Sequence, residues 1–595
     1  MQLTRLKLWN FRRFGSDTQF ELSSPNLDLQ FANGLNVLIG ENDSGKTAII
    51  DAIRIVLGTH SFESNRVSFE DFFHNADHLR IELHFTGMSQ EVAKNFIEWL
   101  CWTKNGEKLV TSLRVICDVR KNNERVLPYE VRAGADEDGT HLSAEAREYL
   151  RCTYLRPLRD AGAELIPKRN SRLSRILLGH SAFKGRDVDH CLLEVFTKFN
   201  SEICGYFDGL DAHGATLADS NGKDLKEKID EFIRAFHSDS SKGQIGVADG
   251  NLKDILERLS LTIEGVRHPG LGTLNRLFMA AELVHLSSPD WHGLKLGLVE
   301  ELEAHLHPQA QMKVIEKLQA RDDIQLILTS HSPNLVSKVK LESLIVCDGN
   351  SAFPMGETFT ELDNDDYGFL ERFLDVTKSN LFFANGVILV EGWSEEVLIP
   401  ALAKKMKACG LLKQDLTEAG ITVVNVGNTA YLRYARIFRR KSGPSMRTPV
   451  AVITDIDVPE YEKEDKEYVP LDDSEVQKTR TDKLSEKLKD IDHRPVKSFI
   501  APRWTLEYSL HKSRCFGSLF SKKFLEVHTG ANEANVEYEL GKKLLNRGLE
   551  KLEIAYRVAA SIEKSIDDDA IRSCKVDDSG YYLMDAILYA CKHQN

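Results

Sequence analysis

Apolar and polar positions change rhythm several times along the chain, and each change marks an element. Residues 3–9 and 27–31 have strand character, and the short run 35–39 (LNVLI) reads as a buried strand. A glycine-containing turn follows. Ile49, Ile50, Ile53 and Val56 then recur at helical spacing, which predicts a helix over about 46–57. Further strands are expected at 79–85, 113–119 and 152–155. From about 165 to 260 the pattern becomes helical and polar, looser at 211–250, and reads as an inserted helical subdomain.

Between 294 and 347 the strand–helix–strand rhythm returns, with a buried strand in LKLGLVEE, a helix at 308–318 and a strand at 325–329. Residues 349–380 are acidic and loop-like, as a linker would be. Beyond them, strands are expected at 387–390, 421–426, 450–454 and 496–500, separated by helical segments as in a mostly parallel sheet. An acidic excursion at 459–490 interrupts this series, and its acids at 459–475 read as a solvated loop. There is no internal repeat, and no heptad run long enough for an extended coiled coil.

A length of 595 residues bounds the chain at roughly three or four domains. With 42% hydrophobic and 28% charged residues, wholesale disorder is excluded. The net charge of −13 argues against nucleic-acid binding by bulk positive charge, but leaves room for a local basic channel or an acidic metal site. Neither a signal-peptide core nor a membrane-length apolar run is present, so a cytoplasmic protein with no membrane partner is expected. Ten scattered cysteines without a CxxC pair fit reduced thiols and argue against a zinc knuckle.

The segment Gly40-Glu41-Asn42-Asp43-Ser44-Gly45-Lys46-Thr47 fits the phosphate-binding pattern GxxxxGK[ST]. Its glycines let backbone N–H groups close around phosphate oxygens, Lys46 reaches the outer phosphates, and the Thr47 hydroxyl ligates Mg²⁺. A strand before it and a helix after it supply the required context. Further on, Glu300 and Glu301 end a buried strand, where one acid would hold Mg²⁺ and the next polarise the attacking water. After the following strand, His331 stands where an imidazole would touch a γ-phosphate.

These residues resemble the ABC-type ATPase heads of the RecF, SMC and OLD group, whose first strand and NFR turn are similar to LTRLKLWNFRRFG here. The resemblance implies that Gly40, Asn42, Gly45, Lys46 and Thr47 form Walker A and that Glu300 and Glu301 form Walker B. Glu303 to His307 would be the D-loop, and His331 the switch histidine. Glu300 stands where Asp is usual, Leu302 replaces a common Pro, and the signature, best matched by Gly270 to Asn275, is degenerate. Slow or conditional ATP turnover is therefore expected. Such heads sandwich nucleotide between protomers, which implies a homodimer or higher assembly.

The C-terminal region carries a second constellation. Glu391 and Gly392 follow the apolar strand VILV, and Glu395 falls four residues later on the first turn of a helix, so both acids face one pocket. Asp455 and Asp457 follow another strand and, in an extended chain, point to the same side. Glu507, in Trp504-Thr505-Leu506-Glu507, begins a helix after a further strand. Each acid lies near a strand's C-terminal end, where ligand sites gather in open α/β sheets. Five converging carboxylates repel one another unless divalent cations neutralise them, and oxygen ligands favour Mg²⁺ or Mn²⁺.

This arrangement resembles the Toprim domain, and VILVEGxSEE…TDID…TLEY is similar to its form in OLD-family nucleases. The resemblance implies that Glu391, Glu395, Asp455, Asp457 and Glu507 hold two ions, with one more ion beside ATP, and that Glu391 activates the water. It also implies a late basic residue on the scissile phosphate, best matched by Lys551, with Lys542 and Lys543 as alternatives.

The expected architecture is α/β: an ABC-type ATPase domain (1–165 and 262–350) with an inserted helical dimerisation subdomain (166–261). A linker (351–380) leads to a Rossmann-like Toprim domain with a parallel sheet (381–595). The implied function is an ATP-binding and ATP-hydrolysing, metal-dependent DNA endonuclease in bacterial anti-phage defence. By the same resemblance it would act alone, with a helicase partner, or beside a retron reverse transcriptase and its RNA–DNA product, and the sequence does not identify which. The alternative is a RecF- or SMC-like repair or chromosome-maintenance ATPase without nuclease activity. The basic stretches around Lys168, Arg169, Arg172 and Arg175, and at Arg439-Arg440-Lys441, are candidates for tracking a phosphate backbone.

Overall fold

The computed structural model describes all residues except 61–65, 106–107, 157–164, 237–240, 248–249, 288–292, 428–429, 465–466 and 593–595. Parts of the looser 211–250 stretch therefore lie outside the described residues.

Two sheets build the N-terminal half. One is seven-stranded and antiparallel, with the first strand Gln2–Trp9 between Leu27–Gln30 and His78–Thr86. The other runs in the order Ser351–Pro354, Leu344–Asp348, Leu35–Ile39, Gln325–Ser330, Leu296–Val299 and Thr153–Leu155. It is parallel apart from the Ser351–Pro354 edge. Apolar runs such as LNVLI and LGLV are buried along their full length, as strands covered on both faces require. Helix Lys46–Leu57 packs against strands of both sheets, so its apolar residues occupy almost every side rather than one stripe.

Helices Arg172–Gly179, Cys191–Asp208, Asn221–Phe236, Leu252–Glu257 and Leu271–Leu286 form the helical region. Helix Cys191–Asp208 buries no residue and exposes Val195, Phe199 and Tyr206, while Asn221–Phe236 exposes Leu225, Ile229 and Phe232. The C-terminal half centres on a four-stranded parallel sheet, ordered Ile421–Asn425, Gly386–Val390, Val450–Thr454, Val496–Ile500.

Residues 351–380 are not the loop-like linker expected. They contain strand Ser351–Pro354, helix Asn364–Phe373 and a 3₁₀ segment, Lys378–Phe383. Their acids have structural uses: Asp363 caps the helix in a reciprocal box with Asp366, which also pairs with Arg436 at 2.9 Å. Leu362, Tyr367, Leu370 and Phe382 join one apolar core that runs from Leu35 to Val496 and so ties the two halves together.

The acidic excursion differs as well. It forms a hairpin, Tyr461–Glu464 with Glu467–Pro470, followed by helix Asp473–Ile491, which is capped by Asp472. The basic stretches also depart from expectation. Arg172 is buried and makes a two-pronged pair with Glu282 at 2.6 and 2.7 Å, and Arg175 donates to the His60 carbonyl at 2.7 Å. Arg439 is buried against the Asp490 and Ile491 carbonyls, and Arg440 donates to the Pro354 carbonyl at 2.6 Å. These arginines satisfy carbonyls and one buried carboxylate inside the fold, which withdraws them from any backbone-tracking surface. Lys441 likewise turns to the Glu357 and Leu362 carbonyls. All ten cysteines are free.

Candidate active site

Strand Leu35–Ile39 delivers the chain into the phosphate loop, whose curvature depends on left-handed residues: Gly40 (φ 142°), Asp43 (φ 59°) and Gly45 (φ 99°). A Cβ at Gly40 would lie 2.3 Å from the Cys347 carbonyl oxygen, so only glycine fits between the two strands. Lys46, 5% exposed, folds back over the loop and donates to the carbonyls of Gly40 (3.0 Å) and Glu41 and to Ser44 Oγ (3.1 Å). Burial lowers its pKa, and the charges of Glu303, Asp43 and Glu301 partly offset this. Thr47 and Asn42 are exposed at the mouth of the loop.

The two acids after strand Leu296–Val299 diverge. Glu300 is buried with its carboxylate 3.4 Å from the Tyr154 hydroxyl. Burial, reinforced by Asp51 and opposed by Arg54, pushes its pKa up to about 7. Glu301 sits in the left-handed region (φ 46°), with its N–H donating to Thr329 Oγ1 at 2.9 Å. Glu303, which the resemblance placed at the start of the D-loop, also contacts the histidine segment. Its Oε1 accepts the His331 N–H, its Oε2 is buried without a hydrogen-bond partner, and its charge acts on Lys46. His331 itself has its pKa lowered by burial and by Lys46. Gly270 caps helix Leu271–Leu286, and the first turn of that helix packs on the segment after Glu303: a Cβ at Gly272 would lie 2.2 Å from the His305 carbonyl oxygen.

A cleft of about 470 Å³ beside the phosphate loop is shared with the C-terminal half. Gly40 to Ser44 form one wall, and Phe383, Asn385, Thr448 and Ala590 contribute to the other.

In the C-terminal half the carboxylates gather at the ends of three parallel strands. Glu391 follows Gly386–Val390, Glu395 lies on the first turn of helix Trp393–Ala408, and Asp455 follows Val450–Thr454. Glu507 lies on the first turn of helix Leu506–Lys512, just beyond Val496–Ile500, and is 3% exposed. Gly392 leaves room for the Glu395 carboxylate, which would meet a Cβ there at 3.4 Å. Burial pushes Glu395 up to about 7; the charges of Glu507 and Glu391 add to the rise. Asp455 is raised well above the carboxylate range by burial and by Glu507 and Glu395. Glu391 is raised by burial and partly restrained by the Thr454 hydroxyl, which donates to its Oε1.

Asp455 and Asp457 do not share an orientation. The strand stops at Thr454, and Asp457 turns into the left-handed region (φ 55°), so alternation along an extended chain no longer applies. Asp455 is buried among Glu395 and Glu507, whereas Asp457 is about half exposed and pairs with Lys487 at 3.2 Å. Lys551 opens helix Lys551–Ser565, and its ammonium lies 3.0 Å from Glu507 Oε2. Burial lowers the Lys551 pKa, but Glu507, Asp455 and Glu395 outweigh it and the net direction is upward. Of the alternatives, Lys542 lies 3.3 Å from Glu539, and the charge of Lys543 acts on His528.

The sequence singles out none of three further groups in this cluster as a site residue. Thr454 links Glu391 to Lys487, Lys487 comes from the acidic excursion, and the Tyr582 hydroxyl is buried without a partner near four of the carboxylates. Among the described residues, no three acids, histidines or cysteines are already drawn into a metal cage. The donor chemistry nevertheless suits a hard divalent ion: the groups are carboxylate oxygens, Glu391, Glu395 and Asp455 are raised in pKa by burial and by neighbouring acids, and Glu507 Oε2 accepts no hydrogen bond beyond its ion pair.

Comparison with known proteins gives three family matches. Residues 382–457 match the overcoming lysogenization defect protein-like Toprim domain, residues 5–136 an AAA domain and residues 194–336 an AAA ATPase domain. Endonuclease GajA of Bacillus cereus (strain HuB5-5) is 20% identical over 568 residues, covering 80% of this chain and 79% of that protein. The OLD nuclease of Thermus scotoductus (strain ATCC 700910 / SA-01) is 23% identical over 481 residues, covering 75% of this chain and 80% of that protein. Among solved structures, the C-terminal region of the Xanthomonas campestris pv. campestris OLD protein is 22% identical and covers 36% of this chain and 96% of its own, with a TM-score of 0.22. The chain thus joins ATPase segments carrying the phosphate loop to an OLD-like Toprim match carrying Glu391, Glu395, Asp455 and Asp457, in the order expected from the sequence.

Proposed function

We propose that this protein is an ATP-regulated, metal-dependent DNA endonuclease of the cytoplasm. One observation carries the reading: four buried or half-buried acids meet at the ends of parallel strands beside a lysine, in the same chain as a phosphate loop. The relatives named as nucleases, each matching most of the chain, support it.

Glu391, Glu395, Asp455, Asp457 and Glu507 would hold two Mg²⁺ or Mn²⁺ ions. Bound there, the ions supply a polarised water and neutralise charge at the phosphodiester. Glu391 takes the proton of the attacking water. A carboxylate with a raised pKa, oriented by the Thr454 hydroxyl, is a stronger base than an ordinary one. Lys551 leaves Glu507 to meet the phosphate oxygens, where its charge stabilises the transition state. In the N-terminal half, Gly40, Asn42, Gly45 and Lys46 bind the ATP phosphates and Thr47 its Mg²⁺. Glu300 helps hold that ion, Glu301 polarises the attacking water, and His331 senses the γ-phosphate. The shared cleft and continuous core give nucleotide occupancy a physical route to the nuclease half.

A homodimer is part of this reading. The helices Cys191–Asp208 and Asn221–Phe236 expose Val195, Phe199, Leu225 and Phe232, apolar side chains that a second copy would cover. A role in anti-phage defence, alone or beside a helicase or a retron reverse transcriptase with its RNA–DNA, rests on family resemblance alone.

Incubation with supercoiled plasmid tests the reading. Mg²⁺ or Mn²⁺ should yield nicked or linear DNA, EDTA should prevent it, and Glu391→Ala and Asp455→Ala should abolish it. Cleavage that survives both substitutions would overturn the metal-site assignment. Wild-type protein that binds and hydrolyses ATP but never cuts would favour the repair-type ATPase.

A further inference from the structure

We infer that the Lys487 ammonium is a resident counter-ion holding one cation position of the carboxylate cluster, and that it must leave before a divalent ion can bind there. The inference rests on the metal-dependent reading above and concerns a segment, 459–491, that begins just beyond the matched Toprim residues.

Helix Asp473–Ile491 delivers Lys487 to the end of strand Val450–Thr454. There its ammonium donates to Thr454 Oγ1 (3.3 Å), to the Asp455 carbonyl and to Asp457 Oδ2 (3.2 Å). A hydroxyl, a backbone carbonyl and a carboxylate around one positive charge form an all-oxygen donor set, which is also what Mg²⁺ or Mn²⁺ takes. Thr454 passes the contact on to Glu391 Oε1, so a single hydroxyl links the ammonium to the proposed base. The left-handed turn at Asp457 presents that carboxylate to the helix rather than to Glu395 and Glu507.

The helix is fixed separately, since Lys483, one turn earlier, donates to the Asp457 carbonyl at 2.8 Å. Lys487 can therefore swing away on its own stem while the helix stays docked; its side chain is 21% exposed, with a path to solvent. Lys551 serves the other half of the cluster, beside Glu507, so the five acids are shared between two lysines. Such an arrangement keeps the acids compatible with folding and makes the nuclease half depend on displacement of an internal cation.

Manganese titration of the full-length protein, read by calorimetry and by the electron paramagnetic resonance of free Mn²⁺, tests this. Lys487→Met and Lys487→Gln, both neutral, should bind Mn²⁺ about tenfold more tightly than wild type, the effect of removing one partly screened charge at contact distance. Lys487→Arg, which keeps the charge, should stay within about twofold of wild type. Two neutral variants guard against one failing to fold, and retained nucleotide binding at the phosphate loop reports on the fold. Equal or weaker Mn²⁺ binding by the neutral variants overturns the inference and leaves the metal site standing, even if DNA binding falls. Absence of Mn²⁺ binding in wild type and variants alike overturns both.

Discussion

Replacing Glu395 with Gln perturbs the carboxylate cluster at a group whose energetics are readable from its surroundings. Glu395 is 8% exposed, and burial together with the charges of Glu507 and Glu391 raises its pKa from an ordinary 4.5 to about 7. In the unfolded chain the carboxyl loses its proton near 4.5, while the metal-free folded protein keeps it to about 7. The folded state thus binds the extra proton in this window, so the stability contributed by Glu395 is fully present below pH 4.5 and is lost as pH rises through 7. The full difference amounts to about 3 kcal/mol for this group. Denaturant unfolding in EDTA at pH 5, 6, 7 and 8 should show the wild type losing about that much relative to Glu395→Gln, which carries no titrating proton. Adding Mg²⁺ at pH 8 should return the lost stability to the wild type and do little for the variant. A wild type-to-variant difference that stays flat across this range, or that favours the wild type as pH rises in EDTA, would refute the reasoning.

Other perturbations test separate parts of the account. Gly45→Ala would place a Cβ 2.7 Å from the Phe14 ring at φ 99°. It should cost about 1–3 kcal/mol and weaken ATP binding about tenfold or more, as measured by nucleotide titration. Arg172→Ala would leave Glu282 charged, buried and without its two-pronged partner. It should destabilise the protein by about 3–5 kcal/mol in denaturant unfolding, and Arg172→Met with Glu282→Leu should recover most of the loss. Lys551→Ala should slow plasmid cleavage by about 100-fold or more while the ATPase rate is unchanged; equal slowing of both would point to a folding defect.

What was legible in the sequence was what local pattern encodes. The phosphate loop, its strand and its helix are contiguous, and the loop's glycines are fixed by backbone geometry that no other residue adopts at low cost. Glu391, Glu395, Asp455 and Glu507 could be found because each directly follows an apolar strand or opens the next helix. Long-range partners were hidden. Lys487 lies in a run of alternating charges that reads as solvated surface, and only the docking of its helix brings it to Asp457. The Tyr582 hydroxyl meets the carboxylates from the last helix, with nothing in its neighbours to mark it. Residues 351–380 misled for a related reason. Their acids suggested solvation, yet Asp363 and Asp366 are capping residues, and Leu362, Tyr367 and Leu370 around them enter a core built by the parallel sheets of both halves. The arginines at 172 and 439 were misleading too, because a basic run does not show whether its charges face solvent or buried acceptors.

The central claim is that ions held by these carboxylates meet the scissile phosphate. Sulfur substitution at that phosphate tests it most directly, because Mg²⁺ accepts sulfur poorly and the softer Mn²⁺ tolerates it better. DNA containing phosphorothioate linkages should be cut slowly with Mg²⁺, and Mn²⁺ should restore cleavage toward the rate on unmodified DNA. Equal inhibition with both ions, or no inhibition with either, would contradict direct contact between the bound ions and the phosphodiester.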